Sequence, residues 1–134
     1  MRTSLLAALA VLLAPALALA AGAAPTNEEH PGEVALLQDS ANWTYKHFPT
    51  NLRLYVFDDD KPNESKCYKG CSAMWPPLFA RDNPKPMGDW TLVKRTDGGA
   101  QWAYKKRPVY VHYHDSVEQP TGNGAEGGKW HFLE

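Results

Sequence analysis

The chain has 134 residues, with 14 Lys and Arg against 15 Asp and Glu and a net charge of −1 at pH 7. That balance, with no basic stripe, argues against nucleic acid as a partner. Eleven prolines and ten glycines exclude an architecture of long helices and favour short strands joined by turns.

Residues 1–24 read as a cleaved export signal: Arg2 gives the positive start, Leu5 to Leu19 an apolar run, and Ala18-Leu-Ala20 or Ala21-Gly-Ala23 a small-residue cleavage site. The run is broken by Pro15 and falls short of the roughly 20 residues that a membrane span needs. No cysteine stands near the cleavage site to take a lipid. The expected product is soluble, in the periplasm or medium of a bacterium, with no stable membrane insertion. What remains suffices for one domain with a modest core. It holds all 5 Trp, 6 Tyr and 4 Phe, large side chains that suit a small interior.

Residues 25–33 are polar and turn-rich and read as a flexible lead, so the domain proper is expected over residues 34–134. Val34 to Leu37 reads as a short strand. Trp43 to Phe48 alternates large and polar residues, Pro49-Thr-Asn51 turns the chain, and Leu52 to Phe57 alternates strictly. These two runs predict a hairpin in which Leu52, Leu54 and Val56 face one way and Tyr55 and Phe57 the other. An acidic loop, residues 58–64, follows. Ser65 is expected to N-cap a helical turn carrying Cys67 and Cys71, which Trp75-Pro-Pro77 must end. Residues 81–88 form an irregular connector. Trp90 to Arg95 and Gln101 to Tyr104 flank Thr96-Asp-Gly-Gly99, a strong hairpin signal. Residues 105–108 turn the chain into a strand over Val109 to His114. Residues 117–129 read as a glycine-rich loop, and Trp130-His-Phe132 as a closing strand.

Two stretches echo each other. Tyr55-Val-Phe-Asp-Asp-Asp60 and Tyr110-Val-His-Tyr-His-Asp115 each place an acid five residues after a tyrosine, with an apolar residue before the tyrosine and a valine after it. Each also follows a segment opening Trp-Thr, at Trp43 and Trp90. This internal repeat predicts a mainly β, small single domain of two hairpin-based repeat units sharing one hydrophobic interior, with a short disulfide-clipped helical turn between them.

The paired motifs resemble the secreted-repeat family of small bacterial extracytoplasmic proteins and lipoproteins, known by a Tyr-x-(Phe/Trp/Tyr)-x-x-Asp signature. Tyr55-Val-Phe57-Asp-Asp-Asp60 fits it fully. Cys67-Tyr-Lys-Gly-Cys71, Trp75-Pro-Pro-Leu78, Gly88-Asp-Trp90, Arg95-Thr-Asp-Gly98, Gln101-Trp-Ala-Tyr104 and Gly127-Gly-Lys-Trp-His131 follow in order, so the likeness spans about Leu52 to His131. The resemblance implies export and a small β-rich domain, and carries no established activity. Two departures stand out. The lipid-bearing cysteine of many members is missing, and His112 replaces the signature aromatic in the second copy, with His114 two residues on.

Each candidate constellation has a plainer reading beside it. Cys67 and Cys71 in an exported chain are expected to pair. The alternative is Cu(I) held by the two thiolates with Met74. His112 and His114, if on a strand, leave one face and could bind copper or zinc with His131 or Asp115 as a third ligand; a solvated strand face is the plainer account. Asp58-Asp-Asp60 with Asn63 and Glu64 offers oxygen ligands for Ca²⁺, but Asn63 stands where a calcium loop needs glycine. Asp60 and Asp115 are instead expected to accept hydrogen bonds from turn amides. Tyr55, Tyr104, Tyr110, Trp75, Trp90, Trp102 and Trp130 could form a ligand platform, with core packing preferred. No nucleophile elbow, phosphate loop or zincin helix is present. The expected function is a non-enzymatic, monomeric binding or structural module for an extracytoplasmic ligand or protein. Tyr55, Phe57, Asp60, Trp75, Tyr110, Asp115 and Trp130 serve as its scaffold, and a copper- or zinc-binding protein is the alternative.

Overall fold

The computed structural model describes residues 29–134; the expected export signal and the first residues of the lead lie outside that range. Strand β1 (Val34–Asp39) pairs antiparallel with β2 (Asn42–His47). β3 (Tyr55–Phe57) follows, then a short helix α1 (Gly70–Met74). β4 (Trp90–Lys94), β5 (Ala100–Tyr104) and β6 (Arg107–Pro108) form a three-stranded antiparallel sheet. A turn-like helix α2 (Ala125–Gly128) leads into β7 (Trp130–Phe132), which pairs back onto β3. The fold is mainly β, built of small antiparallel hairpins, as the turn residues require.

The β4–β5 hairpin forms where Asp97-Gly-Gly99 predicts it. Gly98 and Gly99 take φ of 100° and 80°, a region a side chain would strain. The first hairpin differs from expectation: β2 takes β1 as its partner, and its link to Leu52–Leu54 is a single bridge, Lys46 to Arg53. The reason is competition. The backbone groups after Arg53 are claimed by the other half of the chain, with Leu133 N–H donating to Leu54 O at 2.8 Å and Tyr55 exchanging bonds with Tyr110.

Strict alternation along Leu54–Phe57 survives that change. Leu54 and Val56 enter one buried cluster, with Val34, Tyr45, Leu78, Trp90, Trp102, Tyr104, Val109 and Leu133. Tyr55 and Phe57 enter a second, with Cys67, Trp75, Tyr110 and Trp130. The single interior expected for the two units is therefore two clusters, one on each face of the central strand, and each draws on both halves. All three β3 residues are buried because both faces are covered.

Three further expectations are corrected. Lys69, at φ 55°, is the N-cap of α1 and no side chain caps it; Ser65 is buried and spends its hydroxyl elsewhere. The strand expected through His114 ends early, because Val111 N–H donates to Pro76 O and Tyr113 N–H to Met74 O before a turn closes from His112 to Asp115. Trp43 and Trp90 are not equivalent: Trp43 lies on the second strand of its hairpin, Trp90 on the first. At the end of the lead, Glu33 accepts bonds from Arg81 N–H at 2.9 Å and Trp102 Nε1 at 3.1 Å.

Candidate functional site

The two signature motifs meet face to face. Tyr55 and Tyr110 form an antiparallel bridge, each donating its N–H to the other's carbonyl at 2.8 and 2.9 Å. Both side chains are fully buried, and each hydroxyl reaches across to the acid of the other copy. Tyr110 Oη donates to Asp60 Oδ2 at 2.7 Å, and Tyr55 Oη donates to Asp115 Oδ2. The acids then close their own turns as expected: Asp60 Oδ1 accepts Lys66 N–H at 2.7 Å, and Asp115 Oδ1 accepts Thr121 N–H at 2.8 Å. Neither copy can satisfy its own signature alone.

The relation between copies runs further than the motif. Trp75 follows Tyr55 at the interval by which Trp130 follows Tyr110. The two indoles stack at 3.8 Å and 3°, and each meets its own tyrosine edge-on, at 5.3 and 5.1 Å. Leu78 N–H donates to Val109 O at 2.9 Å, matching Leu133 N–H to Leu54 O at 2.8 Å. Asp58 N–H to Lys129 O, 2.8 Å, matches Tyr113 N–H to Met74 O, 2.9 Å. The constant Tyr-to-Trp spacing is a signal of this pairing that motif reading alone passes over. Gly122 is fixed by the same packing, since a Cβ there would lie 2.7 Å from the Trp75 ring and 2.9 Å from Tyr55.

Chemistry differs between the copies. Burial pushes the Asp60 carboxyl up to about 6, against the lowering effect of the Lys66 amide, the Tyr110 hydroxyl, Arg107 and Arg95. Burial also opposes ionisation of Asp115, but the Thr121 amide and hydroxyl, Tyr55 and His112 outweigh it and hold that carboxyl below its ordinary value. Both tyrosines are raised well above their ordinary value, first by burial. Ser65, missed as a site residue, donates its hydroxyl to Tyr110 Oη at 2.7 Å and accepts from Arg95 at 3.1 Å. Arg95, its side chain fully buried, also bonds Gln101, the Cys67 carbonyl and Asp97. Desolvating a guanidinium is tolerable only with such full pairing.

Cys67 and Cys71 form a disulfide, with Cα atoms 5.2 Å apart, which removes the thiolate alternative in this state. The acids of residues 58–64 are spent on neighbours: Asp58 on Arg107 and His131, Asp59 on Lys129, Glu64 on Lys66. Tyr55, Tyr104, Tyr110, Trp75, Trp90, Trp102 and Trp130 are all buried, so they pack the core and offer no platform.

The three histidines are not gathered. His131 Nε2 bonds Asp58 Oδ2 at 2.7 Å, whereas His112 and His114 sit together with ring centroids 5.9 Å apart. Among the described residues no group of three His, Cys, Asp or Glu is arranged to hold a metal. His112 lies over Trp75 at 4.3 Å, in the place that Phe57 takes over Trp130 at 4.3 Å. Unlike phenylalanine it also binds its own acid, His112 Nδ1 lying 3.0 Å from Asp115 Oδ1.

These features define a duplicated β module closed by exchanged tyrosine–aspartate pairs. A family described as a secreted repeat of unknown function matches residues 91–134, the stretch that holds the second copy of the motif. The first copy lies outside the matched residues and is joined to the second by the internal symmetry described above. No curated protein and no solved structure matches the chain. No helix among the described residues is long and apolar enough to cross a membrane.

Proposed function

We propose that the protein is exported to the periplasm or medium and acts there as a monomeric, non-catalytic binding module. Its duplicated core is scaffold, and its working residues stand on the rim where the copies diverge. The observation that carries this reading is the exchange of signature bonds. Tyr55, Tyr110, Asp60, Asp115, Trp75 and Trp130 are consumed by one another, which leaves the signature no group for chemistry on a substrate. Export is supported by the secreted-repeat match, by the apolar N-terminal run, and by a disulfide, a bond that persists in oxidising compartments.

The test is native extraction from periplasm and medium followed by intact and native mass spectrometry. The expected product lacks the residues up to Ala20 or Ala23, has a mass two units below the reduced value, and carries a stoichiometric non-covalent ligand. Recovery from the cytoplasm with the N-terminal run intact and free thiols would overturn the reading.

A further inference from the structure

The two copies can be read against each other position by position at the rim, and there the second copy has changed character. The first copy carries Phe57 on the tryptophan stack and, beside it, an ion pair between Asp59 and Lys129 at 2.8 Å. The equivalent places on the other side hold His112, His114 and Met74. An apolar contact and a salt bridge have been replaced by two imidazoles and a thioether. Met74 flanks the histidines through its backbone, its carbonyl accepting Tyr113 N–H at 2.9 Å, and its side chain is exposed.

From this arrangement we infer that His112, His114 and Met74 form a copper site. The inference rests on the binding-module reading and names its ligand. His112 is pre-oriented in the manner of a metal ligand. Asp115 is an acceptor, its side chain is fully buried, and it already binds Tyr55 and the Thr121 amide, so the proton of neutral His112 sits on Nδ1 and the Nε2 lone pair points away. A carboxylate behind the ligating histidine fixes tautomer and ring plane and raises ligand basicity. Trp75 packs against the same ring in a tilted contact, with centroids 4.3 Å apart and planes at 46°. His114 is exposed, and the 5.9 Å between ring centroids lies within the roughly 6 Å that two imidazoles sharing one ion can span at bond lengths of about 2 Å.

The donor set selects the metal. Imidazole accepts copper or zinc, whereas a thioether favours the soft Cu(I) ion, and Cu(II) heads the divalent affinity order. Open positions would be completed by water or by a donor from a partner. The interior disulfide leaves no thiolate to compete for the ion.

The experiment uses the mature, disulfide-intact protein titrated with Cu(II), with Cu(I) under reducing-agent-free anaerobic conditions, and with Zn(II). Competing chelators, and paramagnetic resonance of the Cu(II) form, give the readouts. One equivalent of copper is expected, with nitrogen hyperfine structure from two imidazoles. The variant His112→Phe/His114→Asp carries the first copy's residues at the two histidine positions, so it is expected to stay folded, with a cooperative thermal transition, while losing stoichiometric copper. Met74→Leu should weaken Cu(I) by about tenfold or more and leave Cu(II) nearly unchanged. His131→Ala, on the remote Asp58 pair, should change nothing. Three results would each overturn the inference: copper retained at wild-type affinity in the folded double variant, zinc bound more tightly than copper, or no copper bound. A correctly exported, disulfide-bonded protein carrying some other ligand would sink the copper site and leave the module standing.

Discussion

The first half of the molecule, β1 through Phe79, and the second, β4 through Leu133, use the same frame with different trim. Both spend a tyrosine, an aspartate and a tryptophan on the interior, and each tyrosine answers the acid of the other half. The first half adds a disulfide around α1; the second has only the left-handed turns of α2, where Glu126 and Gly127 leave the helical region. Each half also lines a cleft at equivalent places. One, of about 810 Å³, is walled by Phe48, Pro76, Pro77, Phe79 and Val111. The other, about 400 Å³, has Lys105, His131, Phe132, Glu134 and Val56. The interior is held constant because each copy completes the other, so a change on one side strands a partner on the other. The rim carries no such obligation and is free to diverge.

Equivalence of the two halves is tested most severely at the stacked indoles. Trp75→Ala and Trp130→Ala should each cost about 3–5 kcal/mol, the usual range for a buried aromatic, as read by urea unfolding. If one proved cheap, the halves would not be equivalent in energy. Gly122→Ala is expected to follow at about 1–3 kcal/mol, because the added methyl meets two rings that cannot swing aside.

The hydroxyl exchange should then separate the copies. Tyr110→Phe leaves Asp60 with the Lys66 amide alone and takes the Tyr110 hydroxyl from Ser65, which keeps Arg95 and the Cys67 backbone, an expected loss of about 1–3 kcal/mol. Tyr55→Phe leaves Asp115 bonded to Thr121 and His112, so its loss should sit near the low end of that range. Equal losses would show that donor number at the acid does not matter. Replacing Cys67 and Cys71 together by alanine should cost about 2 kcal/mol, since the closed loop is short. Differential scanning calorimetry of the oxidised protein against the double variant reads that loss.

Much of this frame is legible in the sequence and some is not. The tyrosine-to-acid echo, the Asp-Gly hairpin and the cysteine pair depend on neighbours a few residues apart, so local pattern carries them. Alternation along Leu54–Phe57 correctly separates two faces. Partner choice is different: β3 pairs with β7 and Tyr55 with Asp115 across most of the domain, and no local preference encodes that. It also explains the failed hairpin at Leu52, whose following residues were already engaged. Ser65 has the composition of a helix cap, yet a buried arginine and tyrosine bid higher for its hydroxyl. The divergence at His112 and His114 is visible as a departure from the signature. Its meaning needs the fold, because only the fold brings the Met74 backbone to Tyr113, between the two histidines, and sends His131 to Asp58.

The response to pH is weaker still and has opposite signs in the two halves. The Asp60 carboxyl, ordinarily at 3.8, lies at about 6 in the folded protein, so between those values the native state holds a proton that the unfolded chain has released. Stability from this group therefore falls as pH rises through the window. Asp115 is shifted down, so its contribution is present above the ordinary value and is lost as pH drops through the folded one. Urea unfolding of the metal-free mature protein between pH 4 and about 6 should show a shallower decline in Asp60→Asn than in the wild type. The slope is the quantity to compare, because the substitution also alters the bond to Tyr110 at every pH. Partial exposure of Asp60 keeps the effect modest. An unchanged slope would mean that the Asp60 carboxyl is not raised in the folded protein, and this part of the chemical asymmetry between the copies would be gone.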